Sequence, residues 1–352
     1  MSTLFFFLII PALSISVVVY YGHNVLYIVF SFLFTILLLR NVKNKRIDVK
    51  IKSFKSKEIK ILAGLLLVPL LIVLFSGIKS FNVLSLLSNV YDLRAQNSFS
   101  GIFAYTLFWI PSVIIFWILY AGFYAKEKIN FHLIFFSISI SVLTFLYTGL
   151  KTQLYTPILV IFLFFIVKKT KHHFYNFSFL FPGILLFFGY FFPTIQILAT
   201  IDRIIYLPSL LQLRYIEFFS QNGLYFFKGS KISLLLPFTS DYTRAPGYIV
   251  DEAFGGGGMN GNTGSFGSIY GDMGIIGVLI ILPIFITILS ILINSYSRNK
   301  TLNSLLGVYY GYTLINAPLI DIVLTHGIII HIIILKYFNS KNNSYETQHK
   351  IL

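Results

Sequence analysis

The stretch Phe254–Gly274 reads FGGGGMNGNTGSFGSIYGDMG, and residues 275–293 continue as IIGVLIILPIFITILSILI. The second half carries no charge and is long enough to cross a bilayer, which takes about 20 mostly apolar residues. The first half is dense in glycine, whose backbone reaches conformations closed to other residues. Gly264, Gly267, Gly271 and Gly274 follow a 3-4-3 spacing, which predicts one face of a helix. Gly267 to Gly271 is a GxxxG, and small residues on one face let a neighbouring helix come close. Upstream, Gly255, Gly256, Gly257 and Gly258 form a pliable loop that feeds a helix N-terminus. Free N–H groups and the helix dipole make that a natural anion site.

The same apolar character recurs along the chain. Of the 352 residues, 57% are hydrophobic and 11% charged, against roughly 25% charged in ordinary soluble domains. We expect an all-α polytopic integral membrane protein of about ten transmembrane helices, forming a single transmembrane domain over residues 1–352. The candidate spans are 4–21, 24–40, 61–78, 102–124, 131–149, 153–167, 178–199, 267–294, 302–319 and 322–337. The first has no basic n-region and no small-x-small cleavage site, and reads as a retained helix.

Charge orients these spans. The 40–60 loop, RNVKNKRIDVKIKSFKSKEIK, is strongly basic and therefore cytoplasmic. Alternation then places both termini in the cytoplasm. It puts 19 of the 27 Lys and Arg inside, against four acids, and leaves eight bases and eight acids outside. The formal charge of +15 is thus explained by orientation, and no nucleic-acid partner is required. Four of the seven arginines lie outside, against the trend. Most loops are short, but 79–101 is moderate and 200–266 is long, and long connections are usually functional or disordered. Residues 200–240 are rich in Leu, Ile, Phe and Tyr, which suits short helices at the outer interface.

The exterior holds the candidate chemistry. Arg203 and Arg214 are eleven residues apart, which returns them to one helix face at about 100° per residue. Pro208 lies between them, and Glu217 follows Arg214 by three residues, in reach of pairing. Arg244 stands in SDYTRAPGYIVDEAFGGGG, where Asp251 and Glu252 precede the glycine run. Guanidiniums suit bidentate contact with an anion. Either carboxylate can serve as a general base, or can simply be a solvated loop acid. Lys151 in TGLKTQL and Arg94 in YDLR are candidate substrate contacts. Asp92 beside Arg94 also fits a local ion pair that shapes the loop. Asp321, His326 and His331 lie along the last span, where ionisable residues are functional candidates. For the histidines, satisfaction within the bundle is the simpler role.

Other classes have no footing. The chain has no cysteine, no phosphate-loop or GxGxxG pattern, no DxD, and no His/Asp/Glu set with metal-ligand spacing. We expect no metal and no cofactor.

The glycine-rich stretch with GSFGSIYGDMGIIGVLI at the start of a late helix resembles the O-antigen polymerases of the Wzy type. The YDLR loop, the basic residue in TGLKTQL and the long late exterior loop with arginines are similar too, although lysine stands at 151 where relatives often have arginine. The resemblance covers most of the chain as a layout, and only the glycine segment approaches a motif. It implies a GT-C-type membrane fold in the bacterial inner membrane, with the active site on the periplasmic side. It implies a polysaccharide polymerase whose donor and acceptor are undecaprenyl-pyrophosphate-linked glycans, and a chain-length regulator as a further partner. The leaving group carries its own activation. Arg203, Arg214 and Arg244 would then stabilise the departing pyrophosphate. Glu217, Asp251, Glu252 or His326 would assist the acceptor. An O-antigen ligase shares this layout, and a lipid-linked oligosaccharide flippase is the alternative of a different class.

Overall fold

The computed structural model describes residues 56–75, 113–120, 131–148, 156–158, 160–161, 207–228, 242, 244–256, 264–296, 306–307, 309–311, 313–314, 316–324 and 327–334. Every regular element among them is helical. The candidate spans 4–21, 24–40 and 178–199 and the 79–101 loop lie outside the described residues. The chain forms two compact units, Met1–Ile47 with Lys171–Leu324, and Asp48–Thr170 with Thr325–Leu352.

In the second of these units, α1 (Ser56–Phe75) packs on α2 (Phe131–Thr148). α1 starts at Ser56, so the last residues of the basic 40–60 segment are helical. Lys and Glu there are good helix formers. α2 matches its expected span. Its hydroxyls turn back onto its own backbone: Ser137 Oγ donates to the Leu133 carbonyl at 2.8 Å, and Thr144 bonds the Ile140 carbonyl. That satisfies polar groups where no water reaches. Residues 113–120 form a fully buried helical run. Trp117 Nε1–H donates to His331 Nδ1 at 3.0 Å, and the Phe116 ring meets the imidazole edge-on at 5.2 Å. His331 is therefore held within the packing.

The other unit contains α3 (Leu207–Asn222), α4 (Pro246–Ala253), α5 (Ser265–Ile276), a π-helical turn (Gly277–Ile281), α6 (Leu282–Tyr296) and α7 (Leu319–Leu324). The segment Ser265–Leu292 is long and apolar enough to cross a membrane. It is apolar on both sides. Val278, Leu282 and Ile286 are buried, while Ile276, Ile280, Ile284, Ile288 and Ile291 line an exposed strip, with Ile276 61% open. A helix hydrophobic all round belongs in a core or in lipid.

Two expectations about continuity fail. The 3-4-3 glycine spacing predicts one helix face through Gly274, yet Gly274 has φ 63 and ψ −147. That region is essentially closed to residues with a Cβ, and it breaks the helix. A Cβ on Gly277 would lie 2.6 Å from the Ile269 carbonyl oxygen. Eight residues of straight helix would separate the two by about 12 Å, so the chain bends sharply. The run 275–296 still meets the roughly 20-residue span length. The π turn follows, one turn ahead of Pro283, which offers no N–H to continue an α-helical ladder. Likewise, the span 322–337 is not one helix. Gly327 is non-helical at φ +76, and a Cβ there would collide with Val113.

Candidate functional site

α3 lies directly on α5. Its buried face carries Gln212, Leu213, Tyr215, Ile216 and Phe219, with Pro208 in the first turn, where a missing N–H costs nothing. Phe219 rests on Gly271: a Cβ there would be 2.9 Å from two ring carbons. The close partner of the GxxxG is thus a helix of the long loop. Gly267 is buried on the same helix. Burial and the neighbouring Asp272 carboxylate push the Tyr215 phenol up.

After α3 the chain turns through 223–228 with two consecutive left-handed residues, Phe226 (φ 51) and Phe227 (φ 60). The Tyr225 N–H donates to the Gly271 carbonyl at 2.6 Å, and the Phe227 N–H donates to Asp272 Oδ1 at 2.9 Å. Tyr242 and Tyr225 then stitch the next strand of chain to this turn in opposite directions. The Tyr242 hydroxyl donates to the Asn222 carbonyl at 2.7 Å and also lies 3.0 Å from that of Gly223, and the Tyr225 hydroxyl donates to the Arg244 carbonyl at 3.0 Å. Phe219, Tyr225 and Tyr242 pack ring against ring between them.

Within the long 200–266 connection, Pro246–Ala253 form α4. Pro246 opens it, and its end is closed by the glycine run. Gly255, at φ +75, donates its N–H to the Glu252 carbonyl at 3.1 Å, and Gly256 donates to that of Asp251 at 2.8 Å. This is a Schellman cap. Two of the four glycine amides therefore satisfy helix carbonyls. The Asp251 carboxyl occupies the space that a Cβ on Gly256 would need.

Arg214 and Arg244 both reach α4 or its C-cap residue. The Arg214 guanidinium lies over the Phe254 ring, 5.2 Å from its centroid. That of Arg244 lies over the Tyr248 ring at 5.4 Å and pairs with Glu252, its NH1 2.7 Å from Oε1 and 2.8 Å from Oε2. The pair is half exposed, at 52% and 47%. Glu217 sits one turn after Arg214 on α3. Arg203, Arg94, Lys151, Gly257, Gly258 and His326 lie outside the described residues. Among the described residues, no group of three or more His, Asp or Glu is placed to hold a metal ion.

Asp272, Tyr225, Tyr248 and Phe254 were not among the sequence candidates. Asp272 and Tyr225 owe their place to partners far along the chain. Comparison with known proteins returns no matching family model, no matching curated protein and no matching solved structure.

Proposed function

We propose that the chain is a membrane glycosyltransferase that polymerises oligosaccharide repeat units carried on undecaprenyl pyrophosphate, acting at the periplasmic face of the bacterial inner membrane. The observation that carries this reading is the seating of two guanidiniums, Arg244 on one short helix and Arg214 on its C-cap residue Phe254, where the chain runs into the glycine stretch ahead of an apolar helix of membrane-spanning length. A guanidinium seated over a ring points its N–H edges outward, where a phosphate oxygen can bind or displace a carboxylate. The exposed strip of isoleucines supports lipid contact beside this site. The layout of ten spans with both termini cytoplasmic belongs to the same proposal.

The reaction follows from these groups. The acceptor sugar hydroxyl attacks the anomeric carbon at the end of the donor polymer. The bond from that carbon to the pyrophosphate oxygen breaks, and undecaprenyl pyrophosphate leaves with the bonding pair. Arg214 and Arg244 offset the charge that grows on it. An exposed ion pair is worth about 0–1 kcal/mol, so the pyrophosphate can take Arg244 from Glu252. The released Glu252 carboxylate, or Asp251 beside it, then accepts the hydroxyl proton.

Purified protein given a synthetic repeat unit on polyprenyl pyrophosphate should yield a ladder of products and free lipid pyrophosphate. In cells, loss of the gene should leave a single repeat unit on the lipid A-core. No repeat unit there would indicate a ligase, and units stranded on the cytoplasmic side would indicate a flippase.

A further inference from the structure

Two acceptors stand side by side where α5 ends, and neither belongs to the mechanism above. Gly274 interrupts the helical torsions of α5 two residues after Asp272. The Gly271 carbonyl takes the N–H of Tyr225, and the Asp272 carboxylate takes that of Phe227. Between these anchors the backbone passes through two left-handed phenylalanines. Bulky residues hold that conformation only when the surroundings over-determine it. The 223–228 turn is thus bolted to α5 at two points, and its own Tyr225 hydroxyl holds the backbone of Arg244. Tyr225 is buried and ringed by Phe219 and Tyr242, so its hydroxyl has little freedom to follow a displaced partner. Arg244 stands two residues before Pro246, outside the helix, so its backbone is held by the Tyr225 bond while its guanidinium meets Tyr248 and Glu252.

We propose that Asp272 is a positioning residue: by holding the Phe227 N–H it keeps the 223–228 turn in its left-handed form, and through Tyr225 it fixes where the Arg244 guanidinium stands. This inference rests on the polymerase reading for its consequence and on geometry alone for its claim about position. Asp272 acts as an acceptor here. Tyr215 and Asp321 are the titratable side chains in its electrostatic reach.

The chain contains no cysteine, so Ala253→Cys gives one attachment site for a nitroxide, on the exposed end of α4. The full chain is labelled there in lipid nanodiscs, and its mobility is read by electron paramagnetic resonance beside polymerisation of a synthetic lipid-pyrophosphate repeat unit. Asp272→Ala and Tyr225→Phe should each loosen the label. Each should also raise KM for the donor roughly tenfold or more, the scale of one lost charge-assisted contact. Asp272→Asn keeps the acceptor oxygen and should restore both the spectrum and KM. The inference is overturned if Asp272→Ala and Tyr225→Phe leave the label as ordered as in the parent. It is equally overturned if Asp272→Asn keeps the label ordered but abolishes turnover, because the carboxylate would then act in the chemistry. If Asp272→Ala fails to accumulate, Tyr225→Phe and Asp272→Asn decide alone. A parent protein that makes no polymer would remove the proposed function, and the label spectra would still decide the positional claim.

Discussion

The Phe219 ring lies so close to Gly271 that a Cβ on the glycine would sit 2.9 Å from two ring carbons. Phe219 is buried and packed against Phe218, Tyr215, Tyr225 and Tyr242, so it has nowhere to swing. Gly271→Leu should therefore cost at least the about 1–3 kcal/mol typical of overpacking. We expect a lower membrane level and a lower thermal midpoint in detergent. Normal level and normal polymer would show that α3 does not rest on this glycine.

Gly274→Ala tests the break. An alanine has no ready access to φ 63, ψ −147, and strain of about 1–3 kcal/mol is expected. Relief by straightening would pull the Gly271 carbonyl away from Tyr225. The amide exchange rate at Tyr225 should rise in the variant, and an unchanged rate would refute the link.

Arg214→Ala and Arg244→Ala should each nearly abolish long polymer while protein level holds. Losing one contact to a developing anion costs about 2.7–4 kcal/mol, or roughly 100- to 1,000-fold in rate. Lysine should rescue only in part, because it lacks the planar fork. Arg203→Ala is expected to behave alike. Lys228→Ala and Lys231→Ala serve as controls and should keep most activity. Ladders of normal length from all three arginine variants would remove the arginines from the mechanism.

Trp117 and His331 form a buried pair in the other unit. Trp117→Phe deletes the donor and leaves Nδ1 to find another, at a cost of about 1–3 kcal/mol. Trp117→Phe and His331→Leu should each lower the thermal midpoint without changing donor KM. The double variant should lose less than the sum of the two, as residues in contact do. Strict additivity would argue against the bond.

Orientation is checked by reporter fusions at Lys171 and Gln221, which should report cytoplasm and periplasm respectively. Both on one side would sink the helix count between them.

What could be read from the sequence was the part that depends on composition or on near neighbours. The apolar run after Gly274 and the helix over 131–148 were legible because lipid-compatible side chains are visible one by one. Helix α3 was legible as an apolar-rich stretch in a loop. α4 was missed although its signal is local: Pro246 at the start and Gly255 after the end are the usual asymmetry of a helix. The 3-4-3 spacing misled because spacing assumes a continuous helix, and the torsion at Gly274 is invisible in letters. Asp272 carried no signal at all, since its partner Phe227 is 45 residues away. The tyrosine stitches are long-range for the same reason. Arg214 and Arg244 were found as arginines against the charge trend, but their shared helix was not.

The π turn at Gly277–Ile281 bears on how the outward isoleucines line up. Four residues overshoot one α-helical turn by about 40°, since a turn takes 3.6. Positions 276, 280, 284 and 288 on an unbroken α-helix would therefore spiral through about a third of the circumference. A π turn holds more residues per turn, so the same step across it falls short where the α-helix overshoots. One surplus residue thus acts as a vernier, winding the drift back so that Ile276 and Ile288 look toward the same side. Regularising this turn into α-helix at unchanged length would leave every side chain chemically intact and still swing Ile288 away from Ile276, whereas deleting the surplus residue would keep them aligned.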